Sequence, residues 1–208
     1  MIKSTDIKNL NSCNCTYCNK FTYLWDMSLC KSFQTKTLWV EVPKNASFVC
    51  KKYFKNKIPI LKQNLSIYNE GMIITRDPIK RFKSLLSHYF VNGTRKQYGH
   101  EWLKNIIKIK HNEINIIEDI GDIVLNNFSK LNFISEPHHF FLQSDFIPDI
   151  FWFFKKQLII NIENISNVYR NMPKLNMSSS ENILISNDNI EKIKTIYYKD
   201  FILHERSK

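Results

Sequence analysis

Two segments of this chain, VEVPKNASFV (40–49) and MIITRDPIKRFKSLLSHY (72–89), repeat one pattern: an apolar run, a polar turn, then apolar residues at helical spacing. Each reads as a strand running through a turn into a helix. The first turn carries Lys44 at its tip. The second carries Arg76 where its strand ends, with Ser84 eight residues on, about two helical turns at 3.6 residues per turn. A turn that leaves a strand and opens a helix exposes unpaired N–H groups, and the helix dipole adds partial positive charge at the same point. Two strand ends, each with a cation and free amides, suit a ligand with two phosphate groups.

The rest of the chain fits around that pair. A length of 208 residues supports one substantial core. Hydrophobic residues at 43% and aromatics at 13% belong to a globular chain rather than a disordered one. TLWVEV (37–42) alternates and is closed by Pro43, which predicts a strand, and 46–56 reads as a helix. MIIT (72–75) sits between Gly71 and the Arg76-Asp77-Pro78 turn, which suits a buried parallel strand. Asp77 fits a helix N-cap and Pro78 the first helical turn. Ile79, Phe82, Leu85, Leu86 and Tyr89 then form an apolar stripe. Helices are expected over 99–112, 116–130 and 189–201, loop with short helix over 135–150, a strand over LIINIE (158–163), and a loop at the serine run 178–180. Strands alternating with helices predict an α/β domain with a mainly parallel sheet, spanning 36–208 after a polar Cys-containing segment 1–35.

Composition narrows the partners. Asn, Ile and Lys are heavily used and Ala46 is the only alanine, the mark of an AT-rich coding bias. A net charge of +11 favours an anionic partner: a nucleotide, an acidic sugar or nucleic acid. Lysines that merely solvate the surface explain the same number. No apolar run is long enough to span a bilayer, and the polar start MIKSTDIKNLNSCNC does not resemble a signal peptide. A soluble, cytoplasmic or otherwise intracellular protein is the expectation. Cys13, Cys15, Cys18 and Cys30 are spaced closely enough to hold a tetrahedral zinc, but C-x-C-x-x-C-x11-C is not a pair of CxxC knuckles, and free thiols are the competing reading. Cys50, alone on an expected helix, reads as buried filler.

The chemistry of the first turn is that of a phosphate cradle without the usual glycines. Lys44 supplies a full charge, Ala46 and Ser47 let a ligand approach the backbone, and the Ser47 hydroxyl can donate. No G-x-x-x-x-G-K-[ST] is present and no acidic strand end awaits magnesium, so an anion would be held without a metal. In the second segment Arg76 lies at a strand's C-terminal end, where ligands bind in open α/β sheets. The Arg76 fork and the Ser84 hydroxyl could grip one phosphate. Arg81 could join them, or pair with Asp77 on the helix surface; the surface pair is the expectation.

VPKNAS and RDPIKRFKS resemble, in order and spacing, the two donor-binding motifs of the sulfotransferase superfamily that uses 3′-phosphoadenosine-5′-phosphosulfate (PAPS). The resemblance is nearest to the carbohydrate sulfotransferases and covers roughly 36–204. PHHFFLQSDF (137–146) is similar to their "HWxxQ" stretch, LIINIENI (158–165) to their strand ending in Glu-Asn, and IYYKDFILH (196–204) to their closing "Y..DF" helix. It implies a P-loop-NTPase-like fold, a mainly parallel central sheet flanked by helices, and transfer of a sulfuryl group to a hydroxyl acceptor, a carbohydrate. Lys44, Asn45, Ala46, Ser47, Phe48 and Val49 would then hold the 5′-phosphosulfate, and Arg76 and Ser84 the 3′-phosphate. Lys44 would stabilise charge on the departing nucleotide, with 3′-phosphoadenosine 5′-phosphate (PAP) as product. His139 aligns with the family's histidine and is the first choice of general base. His138, His88 and Glu136 are rivals, Gln143 is a candidate contact to acceptor or nucleotide, and Glu163 a candidate orienter. Phe48 departs from the small or hydroxyl residue usual after Ser47. No N-terminal anchor like that of the Golgi members is expected from the polar start, which suits a microbial or viral member.

Other readings stay open on sequence. A basic chain with a Cys cluster fits a nucleic-acid-binding module, although its aromatics do not interleave with basic residues in an RNA-binding motif. A nucleotide kinase lacks its Walker loop here. A catalytically inactive PAPS-binding homologue is compatible with Phe48.

Overall fold

The computed structural model describes residues 28–31, 37–46, 50, 56–59, 69–91, 95–109, 117–131, 138–147, 149–168 and 183–207. These divide into two compact units. The first comprises the described residues up to Thr75, with 143–168 and 205–207; the second comprises those within 76–142 and 183–204.

The first unit is built on five strands: β1 (Ser28–Lys31), β2 (Thr37–Val40), β3 (Asn56–Pro59), β4 (Glu70–Thr75) and β5 (Lys156–Asn161). Their spatial order is β3-β1-β2-β4-β5. β2, β4 and β5 run parallel, with Val40 opposite Ile73 and Thr75 opposite Asn161, so their C-terminal ends lie together. β1 runs antiparallel to both β2 and β3. The architecture is therefore mixed α/β, with a three-stranded parallel portion where the sequence predicts strands and an antiparallel addition that it does not. β1 falls inside the segment expected to be a polar lead-in. β3 begins at Asn56, the last residue of the helix expected over 46–56; of that helix only Ala46, Cys50 and Asn56 lie among the described residues.

Burial explains the parallel portion. All four residues of β2 are buried, so the alternation read in TLWVEV does not produce an exposed face. Trp39, Met72, Ile74, Ile160 and Ile165 pack with Cys50 in one apolar cluster, which bears out Cys50 as buried filler. Gly71 is required by close approach: a Cβ there would lie 2.4 Å from the Phe154 ring. At the N-terminal end of the sheet, Thr37 Oγ1 donates to Glu70 at 2.6 Å and Lys156 Nζ pairs with the same carboxylate at 2.7 Å. Partial burial works against the Glu70 charge, but these two partners hold its pKa below the ordinary carboxylate value.

The second unit is helical: α1 (Pro78–Leu86), α2 (Lys96–Trp102), α3 (Ile117–Asn126), α4 (Asn187–Ile196) and α5 (Tyr198–Glu205), the last through His204. α1 starts as its sequence dictates, with Pro78 in the first turn and the Asp77 carboxylate accepting from Lys80 N at 2.9 Å. Its apolar stripe joins a core of Phe82, Leu85, Leu86, Tyr89, Phe140 and Tyr197, among others. α1 and α2 each run on into a π-helical turn, Ser87–Val91 and Leu103–Ile107. The second turn stops at Lys108, whose φ of 67° is left-handed, and the Ile109 N–H bonds back to Leu103 O at 3.0 Å. The closing helix expected over 189–201 is two helices, broken at Tyr197.

Candidate functional site

The Lys44 turn follows β2 within the first unit. Asn45 N donates to Val42 O at 3.2 Å, closing a four-residue turn with Pro43 second and Lys44 third. Pro at the second position and positive φ at the third is the type II pattern, in which glycine normally takes the third place. Here Lys44 takes it, at φ 67°, and Ala46 follows at φ 63°. Two left-handed non-glycine residues within three positions store backbone strain, a feature that gathers at binding and catalytic sites. Cys50 N then donates to Ala46 O at 3.0 Å, a helical turn directly after the strained pair.

Asn45 holds the strained turn in place. Its side chain is fully buried. The amide donates to Ile74 O, at the C-terminal end of β4, at 2.8 Å. It also donates to Oε1 of Gln143, itself buried. The structure thus brings the predicted residues Asn45 and Gln143 together, 98 positions apart in sequence. Lys44 keeps partial exposure. Ser47, Phe48 and Val49, expected to complete the loop, lie outside the described residues.

Arg76 and Ser84 belong to the second unit. Arg76 is the residue between the end of β4 and the Asp77 cap of α1, and it is partly exposed. Ser84 is 2% exposed, on the inward side of α1 with Arg81 and Leu85. Arg81 corrects a sequence expectation. It does not lie on the helix surface with Asp77; it is 1% exposed, and its guanidinium donates to Phe141 O at 2.9 Å and His139 O at 2.8 Å.

That fork lands on the segment carrying the candidate base. His139 lies in the single 3-10 turn His138–Phe140 and is 7% exposed. Tyr197 donates its hydroxyl to Phe140 O. Three successive carbonyls, of residues 139, 140 and 141, therefore each accept from a buried side chain. The His139 ring stacks on His88, with centroids 6.2 Å apart and planes 17° apart, and meets the Tyr89 ring edge-on at 5.8 Å. Burial drives the Tyr89 pKa well above the ordinary tyrosine value, against the opposing pull of Arg95, the His139 backbone and Arg81. Gly99 lets α2 close over this region: a Cβ there would sit 2.2 Å from Tyr89 O.

Among the rivals, His88 lies in the π-helical turn after α1 and His138 in the turn with His139, while Glu136 lies outside the described residues. Glu163 is exposed in the turn after β5, where its N–H donates to Asn161 Oδ1 at 3.1 Å. Of the cysteines offered as zinc ligands, Cys30 lies in β1, and Cys13, Cys15 and Cys18 lie outside the described residues. Among the described residues no group of three His, Cys, Asp or Glu could hold a metal ion, and no helix is long and apolar enough to cross a membrane. No local pattern in the sequence marks Tyr197 as a partner of Phe140, and Arg81 is buried rather than on the helix surface expected for it. An arginine three residues before a serine on an apolar stripe was the available signal for Arg81. No family model, curated protein or solved structure matches the chain.

Proposed function

We propose that this protein is a PAPS-dependent sulfotransferase acting on a hydroxyl acceptor, a carbohydrate by the resemblance of its motifs, in a P-loop-like version of the α/β fold. The observation that carries the proposal is the Lys44 turn: a cation on a strained left-handed backbone, following a parallel strand, clamped by Asn45 to the C-terminal end of the next. Such a turn fixes amide and ammonium donors before a ligand arrives, the kind of preorganisation that stabilises charge developing in a transition state.

The chemistry runs as a single in-line displacement. The acceptor oxygen forms a bond to sulfur while the bond from sulfur to the bridging 5′-phosphate oxygen breaks. The electron pair of the broken bond stays on that oxygen, and PAP leaves with the added negative charge, which Lys44 offsets. His139 takes the proton of the acceptor hydroxyl. Arg76 is assigned to the 3′-phosphate, and of the two residues proposed there it is the more exposed. Ser84 is assigned to the same phosphate. No metal is needed in this scheme.

The test is turnover. Protein, PAPS and a panel of hydroxylated glycans should yield sulfated product and PAP in equal amounts. Lys44→Ala should lower kcat by about 10²–10³, the usual effect of removing one donor to a developing anion. A Lys44→Ala protein with unchanged kcat would remove Lys44 from the mechanism.

A further inference from the structure

We infer that Arg81 and Tyr197 are positioning residues for His139: they hold its backbone by capturing the carbonyls of residues 139, 140 and 141. The inference rests on the reading of His139 as general base. Similarity of motifs alone would add Arg81 to the nucleotide site, since it lies five residues after Arg76 and three before Ser84. The geometry assigns it differently. Both terminal nitrogens of the buried guanidinium are committed to main-chain oxygens, at 2.9 Å to Phe141 and 2.8 Å to His139. Those oxygens are two residues apart, so the planar fork sets the direction of the intervening peptide units, as a lysine could not.

Tyr197 takes the carbonyl between them. It comes from the junction of α4 and α5, so the segment is held by two separate elements of the second unit, α1 and this junction. The Tyr89 ring also meets the His139 ring edge-on, with centroids 5.8 Å apart. Phe140 fills the space between, with its ring 5.4 Å from Phe82 and 5.7 Å from Tyr89. With backbone and neighbouring side chain fixed, the imidazole has few orientations left. Positioning of this kind matters for a base, because a misplacement of about 1 Å costs on the order of 10² in rate. Arg81 also sits on α1, the helix that carries Ser84. The helix proposed to bind the nucleotide and the segment proposed to carry the base are therefore joined by one side chain.

The experiment compares Tyr197→Phe and Arg81→Lys with wild type. Tyr197→Phe keeps the buried ring and removes only the hydroxyl, so it tests the idea even where Arg81→Lys does not fold. Three quantities are read: PAP affinity, kcat against KM, and the rate at which diethylpyrocarbonate modifies each histidine, resolved by peptide mass spectrometry. PAP affinity should stay within about twofold while kcat falls about tenfold or more, the pattern of a lost transition-state alignment. His139 should be modified several times faster in both variants, with the other histidines unchanged. A fall in PAP affinity that matches the fall in kcat would make Arg81 a nucleotide ligand and overturn the inference. So would an unchanged His139 modification rate in Tyr197→Phe. The labelling needs no turnover: if wild type neither binds PAP nor transfers sulfate, the proposed function fails, while labelling still decides whether these residues hold His139.

Discussion

Replacing Asn45 with alanine should loosen the Lys44 turn, and its cost can be worked from the bonds it makes. The buried amide donates to Ile74 O and to Gln143 Oε1. Truncation removes both bonds. Each buried acceptor left short of a donor costs about 1–3 kcal/mol, and relaxation around the smaller side chain recovers part of it, so a loss of about 2–4 kcal/mol is expected. The same clamp opposes the strain at Lys44 and Ala46, where left-handed backbone costs a non-glycine residue about 1–2 kcal/mol. Glycine at position 46 should release that strain and lose about 0.5–1 kcal/mol in chain entropy, for a net gain of about 0.5–1 kcal/mol. The assay is urea denaturation of wild type, Asn45→Ala and Ala46→Gly, with midpoints shifting at constant m. An Asn45→Ala loss below about 1 kcal/mol, or an Ala46→Gly protein less stable than wild type, would refute the argument that this turn is strained and clamped.

Other consequences follow the same physics. Lys108→Gly should stabilise by about 0.5–1 kcal/mol, because Lys108 ends its helix at φ 67° where glycine carries no Cβ penalty; a drop in the denaturation midpoint would contradict it. Gly99→Ala should destabilise by about 1–3 kcal/mol or more, since the new Cβ meets Tyr89 O at 2.2 Å; a neutral midpoint would show that α2 does not close on that carbonyl. Glu70 has a lowered pKa in the folded state, so its stabilisation is present above the unfolded value of 4.5 and is lost as pH falls through the folded one. Glu70→Gln should therefore lower Tm near pH 7 and converge with wild type near pH 3, and a gap that widened toward acid would reverse the sign.

What was legible in the sequence depended on how local its cause was. α1 could be read closely because Asp77 caps it and Pro78 starts it, both within one turn of the boundary. β4 could be read because an apolar run between Gly71 and a turn has few alternatives. β1 and β3 could not: SLCK and NKIP are four residues each, carry lysine, and take their strand conformation from antiparallel neighbours. Among the described strands β3 is outermost, the position where a strand proline is tolerated. At the site, the residue types of Lys44, Asn45 and Gln143 drew notice as sequence, but the left-handed backbone did not, because no glycine marks it. The bond between Asn45 and Gln143 joins positions 98 apart, which no local pattern encodes. Arg81 was misplaced because Asp77, one helical turn away, offered it a local partner, whereas its acceptors lie 58 and 60 residues on.

Under the proposed function, Lys44 and Arg76 each contribute to the binding of PAP. Titration calorimetry of PAP into wild type, Lys44→Ala and Arg76→Ala decides whether they do. One PAP site is expected on wild type, with each variant weakened by about 1.5–3 kcal/mol, the worth of a hydrogen bond to a charged group. Absence of PAP binding by folded wild type would contradict the proposed function.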